Sequence, residues 1–264
     1  MPLHIIVCIK QVPESTEVKW DKERGTMIRE GIKGIINPFD ENALEAALQL
    51  REQHGGQVTV ISMGIPRVIE QLREALAVGA DRAILLSDRA LAGADTLATA
   101  YTLSLAIRKL APFDLVLCGK QAIDGDTAQV GPGIAERLEI PQVTYAREIS
   151  LENGRLRVKR MLEEGYEVVE TSLPALVTVL KQLNQPRYPS LKGLMAAKKA
   201  EIPIWSAAEL EADPQRIGMA GSPTKVVKTY TPSREHHAEM IEGSPDETAE
   251  ALINKLRERH LLSA

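Results

Sequence analysis

Aromatic side chains are scarce: two Phe, two Trp and five Tyr in 264 residues. That scarcity excludes the stacking platforms that hold single-stranded nucleic acids. It also means that an aromatic cofactor must be held by backbone, polar groups and aliphatic side chains. Excess positive charge is missing too, since 32 Lys+Arg face 36 Asp+Glu for a net charge of −4. Nucleic-acid binding driven by phosphate attraction is thereby excluded, and no nucleic-acid partner is expected. Only two cysteines occur, Cys8 and Cys118, each inside an apolar run. They fit buried, reduced thiols better than a disulfide framework. No apolar stretch approaches the ~20 residues of a membrane span, and the Met-Pro-Leu-His start lacks the features of a signal peptide. A cytoplasmic, soluble protein is expected.

Common catalytic signatures are also absent. There is no G-x-x-x-x-G-K-[ST], G-x-G-x-x-G or G-x-S-x-G, and no Cys/His spacing suited to zinc. The adjacent His236 and His237 read as a solvated pair, because sequence neighbours do not share a helical face. No side chain stands out as an acid, a base or a metal ligand, so no catalytic or metal residue is assigned.

What is present is periodicity. β-rich runs at residues 4–9, 57–63, 82–87, 115–118 and 142–146 alternate with helical patterns at 41–53, 67–78, 96–110 and 127–138. Asp40, Asp95 and Asp126 stand at three of the helix starts. The alternation predicts an α/β fold: a doubly wound, mostly parallel sheet with helices on both faces, and a ligand beyond the carboxyl ends of its strands. Near residue 147 the pattern changes. Asn153-Gly154 predicts a hairpin between 147–150 and 155–161, and a second turn at 163–165 leads through 166–171 to 174–180 as an antiparallel meander. Residues 1–180 are thus expected to form one α/β domain with its meander. Residues 181–232 have no sustained period and read as an extended arm wrapping a partner, favoured by Leu191, Leu194, Met195, Ile202, Ile204 and Trp205. The tail 233–264 carries a last helix at 246–262.

Two stretches resemble each other: Gly93-Ala94-Asp95-Thr96-Leu97 and Asp124-Gly125-Asp126-Thr127-Ala128. Each follows a strand and opens a helix, where free N–H groups and the positive dipole end suit phosphate. Asp95 and Asp126 either cap their helices or meet ribose hydroxyls, leaving backbone N–H and threonine hydroxyls for the anion. Ahead of the first helix, Asn37 and Asp40 could read an adenine edge or a ribose; a turn with a cap is the alternative.

Several motifs carry a resemblance that covers essentially the whole chain: Ile6-Val7-Cys8-Ile9-Lys10-Gln11-Val12-Pro13, Asn37-Pro38-Phe39-Asp40, Ala77-Val78-Gly79-Ala80-Asp81, Gly119-Lys120-Gln121-Ala122-Ile123-Asp124 through Gln129 and Gly131, and Val158-Lys159-Arg160 through Thr178. The chain resembles the β subunits of electron transfer flavoproteins. The resemblance implies a heterodimer with an α subunit that holds FAD, and a second nucleotide site in the β subunit. In respiratory members that site holds structural AMP and electrons pass from acyl-CoA dehydrogenases toward a quinone-linked acceptor. In members from anaerobes it holds FAD, which NADH reduces, and electrons are split between ferredoxin or flavodoxin and the α-subunit flavin. Gly125 and Thr127 through Gly131, with the 93–99 stretch, are closer to the FAD-containing, bifurcating type, so FAD is expected and AMP is the alternative. Carried over by motif, the nucleotide contacts are Cys8, Asn37, Pro38, Phe39, Asp40, Met63, Ala122, Ile123, Asp124, Gly125, Asp126, Thr127, Ala128, Gln129, Val130, Gly131, Pro132 and Gly133. The two-terminus pattern adds Asp95, Thr96, Ala98 and Thr99. Residues 184–199 are similar to the family's dehydrogenase-recognition loop, with Tyr188, Leu191, Leu194 and Met195 as docking residues. The implied role is an electron-carrier subunit; whether it also acts as the NADH-oxidising component of an enzyme complex is left open.

Overall fold

Burial along the first strand decides the architecture. In β1 (Leu3–Cys8) the side chains of Leu3, Ile5 and Val7 enter one core and those of Ile6 and Cys8 another. A strand buried on both faces belongs inside a covered, parallel sheet. The computed structural model describes residues 2–14, 20–21, 26–27, 33–227 and 238–262; His236 and His237 lie outside the described residues.

After β1 the chain forms two small antiparallel ladders apart from the main sheet. β2 (Gln11–Pro13) pairs with β5 (Gly34–Ile36), and β3 (Trp20–Asp21) with β4 (Thr26–Met27). Then follow α1 (Pro38–His54), β6 (Gly56–Met63), α2 (Ile69–Val78), β7 (Arg82–Leu86), α3 (Thr96–Lys109) and β8 (Leu115–Gly119). They continue with α4 (Val130–Leu138), β9 (Gln142–Glu152), β10 (Arg155–Leu162), β11 (Gly165–Thr171) and β12 (Ala175–Val179). The last are α5 (Leu191–Lys199), β13 (Ile204–Trp205) and α6 (Pro245–Glu258).

The main sheet has nine strands in the order β11-β10-β9-β12-β8-β1-β6-β7-β13. All neighbours from β9 to β13 pair parallel, and only the β9–β10 and β10–β11 pairs are antiparallel. Residues of α1 and α2 fill one core, and those of α3 and α4 the other. The α/β class with helices on both faces is therefore as expected.

Four local expectations differ from the structure. Helix α1 starts at Pro38, whose fixed φ suits the first helical position, so Asn37 and not Asp40 is the N-cap. Helix α4 starts at Val130, not 127, because Asp126 and Ala128 hold φ values of 54° and 55°. That left-handed backbone cannot belong to a helix. The meander ends at β11, since residues 175–179 return to the sheet interior as β12, parallel to both β8 and β9. All five β12 residues are buried, which no edge position would allow. Finally, much of 181–232 is folded: α5 forms there, β13 pairs beside β7, and Leu210 and Ile217 enter the second core. A two-turn helix and a two-residue strand are too short to leave a period in the sequence.

The first compact unit runs over Met1–Val226 and the second over Val227–Ala264. In the second, a capping box begins α6: the Ser244 hydroxyl accepts from the Glu247 N–H, and the Glu247 carboxylate accepts from the Ser244 N–H.

Candidate functional site

From β1 the chain builds β6 and β7 on one side, then returns through α3 to build β8 on the other. The strand order reverses between β1 and β8, and a crevice opens there beyond the carboxyl ends. It holds a cavity of about 510 Å³, a usual size for a ligand site. Cys8, Ile9 and Lys10 line it from the β1 end, and Cys118 through Ala122 from the β8 end. A second hollow of about 270 Å³ shares Lys10 and Met63 and adds Lys33, Arg67 and Asp124.

Asp40 ties the two strand ends together. Its buried carboxyl accepts the Lys10 N–H at 2.8 Å and the Gly119 N–H at 3.0 Å. Residue 119 must be glycine, because a Cβ there would lie 2.3 Å from Asp40 Oδ1 and 2.6 Å from Phe39 Cβ. Burial pushes the Asp40 carboxyl up to about 7, against the opposing hydrogen bonds from Asn37, Lys10 and Gly119. Asn37 is spent in a similar way: its side-chain amide donates to Gln121 O at 2.9 Å and accepts the Ile123 N–H at 3.1 Å. Both side chains thus hold the loop after β8, and the alternative of a structural turn describes Asn37. Asp40 still borders the cavity, whereas Asn37, Pro38 and Phe39 do not. Pro38 opens α1, and the Phe39 ring lies 5.1 Å from Lys181 Nζ.

The two expected helix termini turn out to be unlike. At α3, Asp95 Oδ1 accepts the Leu97 N–H at 2.9 Å and the Ala98 N–H at 3.1 Å. Its Oδ2 accepts the Thr224 N–H at 3.2 Å and hydroxyl at 2.9 Å. Burial works to raise the Asp95 carboxyl, but hydrogen bonds from Ala98, Thr224 and Leu97 more than reverse this and hold it below the ordinary range. Asp95 is therefore a cap, and the amides of Leu97 and Ala98 are already satisfied. Asp95, Thr96 and Thr99 border the cavity, while Ala98 is buried beneath it.

At α4 the N-cap is Gln129, and no side chain caps the helix. Gln129, Val130 and Gly131 border the cavity, so the open N–H groups and positive dipole end adjoin it. A Cβ at Gly131 would lie 2.5 Å from Thr178 Cγ2; only glycine lets the helix start this close to β12. Pro132 and Gly133 sit inside the first turn, and a Cβ at Gly133 would lie 2.9 Å from Ala100 Cβ. In the preceding loop Ala122, Gly125, Thr127 and Ala128 border the cavity. Ile123 and Asp126 do not. Asp126 caps nothing; its carboxylate accepts from the Gln121 side chain. Asp124 borders the second hollow and forms an ion pair with Lys10, at 2.6 and 2.9 Å. One uncapped helix terminus, threonine hydroxyls and aliphatic walls fit a phosphate-bearing nucleotide.

Lys10, Lys120 and Thr224 also border the cavity but were not singled out from the sequence. The two lysines lie within the quoted motifs. Thr224 had no signal at all, since it arrives through its bonds to Asp95.

The expected docking residues fall on and just before α5. Tyr188 is 94% exposed, Leu191 81% and Met195 66%, with Leu194 less so. Arg187 is not a free cation: its guanidinium grips Glu45 at 2.8 and 3.0 Å and also pairs with Glu52. Arg73 donates to the carbonyls of Ala197, Lys198 and Ala200 at the end of α5. A Cβ at Gly193 would lie 2.1 Å from Ala77 O, so α5 lies directly against α2. Among the described residues no helix is long and apolar enough to cross a membrane, and no group of three or more His, Cys, Asp and Glu could hold a metal ion.

The electron transfer flavoprotein domain matches residues 24–210. The chain is 54% identical to an electron transfer flavoprotein subunit beta of Thermoanaerobacterium thermosaccharolyticum, over 98% of this chain and all of the relative. It is 50% identical to subunit CarD of a caffeyl-CoA reductase-Etf complex of Acetobacterium woodii, over 98% and 100% of the two chains. It is 47% identical to protein FixA of Azorhizobium caulinodans, over 97% and 95%. With such identity along the whole length of both chains, the protein belongs to the electron transfer flavoprotein family, as one of its β subunits acting in electron transfer.

Proposed function

We propose that this β subunit pairs with an α subunit, binds FAD in the cavity beyond β1 and β8, and carries electrons from NADH. The acceptors are a low-potential ferredoxin or flavodoxin and, through the α subunit, a dehydrogenase of the acyl-CoA type. The observation that carries this is end-to-end likeness to a subunit whose complex contains a caffeyl-CoA reductase. The adjoining hollow supports it further, because an elongated dinucleotide needs more length than one cavity gives. FAD supplies the hydride and single-electron chemistry when bound. This chain's residues position it: the α4 terminus and Thr127 take phosphate, and Asp40 and Asn37 fix the strand ends and loop.

One observation favours a second reading. Asp95 satisfies the α3 terminus, so a single open terminus remains at α4, and one phosphate site suits AMP. The deciding experiment is to purify the αβ pair, extract its nucleotides and count them. Two FAD per heterodimer is the expected result; one FAD with one AMP overturns the FAD assignment.

Two further outcomes are expected. Thr127→Leu puts an apolar side chain beside the α4 terminus and should weaken nucleotide binding by about 1.5–3 kcal/mol, the worth of a hydrogen bond to a charged group. Equilibrium dialysis checks this, and unchanged affinity places the phosphate elsewhere. Leu191→Ala removes the most exposed apolar side chain of α5 and should weaken binding of the partner dehydrogenase by about 1–3 kcal/mol. Nucleotide content should stay the same. Loss of nucleotide with normal partner affinity would make Leu191 a packing residue.

A further inference from the structure

Cys8 and Cys118 are register partners on the neighbouring parallel strands β1 and β8. Both side chains point into the core shared with α3 and α4, both border the cavity, and they are 8% and 6% exposed. They are not joined by a disulfide. Asp40 fixes their spacing, since it holds the backbone just past each of them, at Lys10 and Gly119.

That spacing selects the chemistry. Strands in a sheet lie about 4.7–4.9 Å apart, so side chains standing in parallel keep their Cβ atoms near that separation. A disulfide needs Cβ atoms about 3.5–4.5 Å apart. Direct S–S bonding therefore requires the clamped strands to close up, whereas a single bridging atom bonded to both sulfurs does not. Hard or four-coordinate cations are not suited, because both Asp40 oxygens are engaged by N–H groups and no third ligand completes a metal site among the described residues. A two-thiol site of this spacing suits a soft centre, and a trivalent arsenical, which brings its own third substituent, needs no further residue.

We propose that Cys8 and Cys118 form a dithiol site, bordering the cavity, that binds trivalent arsenicals. With an aryl arsenoxide, both S–H bonds and the As=O bond break and two As–S bonds form. The two protons leave with the oxygen as one water, and nothing is oxidised or reduced. Hydrogen bonding to Cys8 and burial hold the Cys118 thiol protonated, and the neutral thiol is the form this condensation consumes. An arsenic atom on both sulfurs occupies the cavity wall, so nucleotide and arsenical exclude each other. That exclusion, unlike the bridging itself, rests on the proposed nucleotide site.

The test uses the αβ pair stripped of nucleotide and titrated with phenylarsine oxide, with the mass of the β chain as readout. The mass of one phenylarsine oxide less one water is expected on the β chain, removable by a dithiol but not by a monothiol. Cys8→Ser and Cys118→Ser should each weaken retention at least ~100-fold, because the second bond is intramolecular. Cys8→Ala and Cys118→Ala should do the same, and unchanged circular dichroism confirms that the variants fold. No adduct on the wild-type chain, or a dithiol-specific adduct that survives either substitution, overturns the proposal. Excess FAD or AMP should block the adduct. An adduct that forms equally with nucleotide present upholds the dithiol site and removes the nucleotide from this cavity.

Discussion

Arg187→Ala is expected to lower stability by about 2–4 kcal/mol, since it leaves a buried carboxylate without its main partner. The Glu45 side chain is only 5% exposed, and Arg187 meets it through two nitrogens while reaching Glu52 as well. Hydrogen bonds to Glu52 and Glu45 raise the already high guanidinium pKa further, so the Arg187 cation persists across the working pH range. Glu45 retains a bond from the Gln49 side chain at 2.8 Å, which keeps the loss below that of a wholly orphaned charge. Urea denaturation measures the effect. Arg187→Lys should recover part of it, as a point charge cannot reproduce the fork. A loss below about 0.5 kcal/mol would mean that Glu45 escapes to solvent at the usual small surface cost. Because Arg187 leads into α5, the alanine variant should also weaken partner docking, although the guanidinium itself faces α1.

Asp40→Ala should be comparably damaging, and its effect should depend on pH in a defined direction. It orphans the Lys10 and Gly119 N–H groups, at about 1–3 kcal/mol each. Burial pushes the Asp40 carboxyl up to about 7, above its value of about 3.9 in the unfolded chain. A raised carboxyl favours the fold fully below about pH 4, and this contribution is lost as pH rises through about 7. The wild type therefore sheds stability across that window and the alanine variant does not. Denaturation at pH 5 and pH 8 should show a larger gap at pH 5. An equal gap, or one widening at pH 8, would show that the two backbone N–H groups hold the carboxylate ionised.

Much of this was legible in the sequence because it is local. The five strands through residue 146 and the four helices between them announced themselves by period and by flanking Asp or Gly. The sequence allows Asp95 as a cap or a ribose ligand, and the structure makes it a cap by a bond spanning two residues. The parts that were not legible depend on distant partners. Nothing near Asp40 says that its carboxyl is held by backbone at 10 and 119. The apolar run 175–179 looks the same whether it ends a meander or returns between β8 and β9. Thr224 reaches the site only because Asp95 has a second oxygen to offer. The start of α4 lies three residues beyond its sequence signal because Ala128 adopts a left-handed backbone that alanine rarely accepts.

The position of β12 has a consequence for synthesis on the ribosome. β8 is complete at Gly119, but one of its sheet neighbours ends only at Val179. At about 5–20 residues per second, β8 keeps an open edge for about 3–12 s after it is made. The nascent chain must leave that slot vacant while the local hairpin of β9 and β10 forms beside it. A strand end that carries part of the cavity's lining is thus among the last parts of the sheet to be locked, and it is during this interval that the edge most needs shielding from other chains.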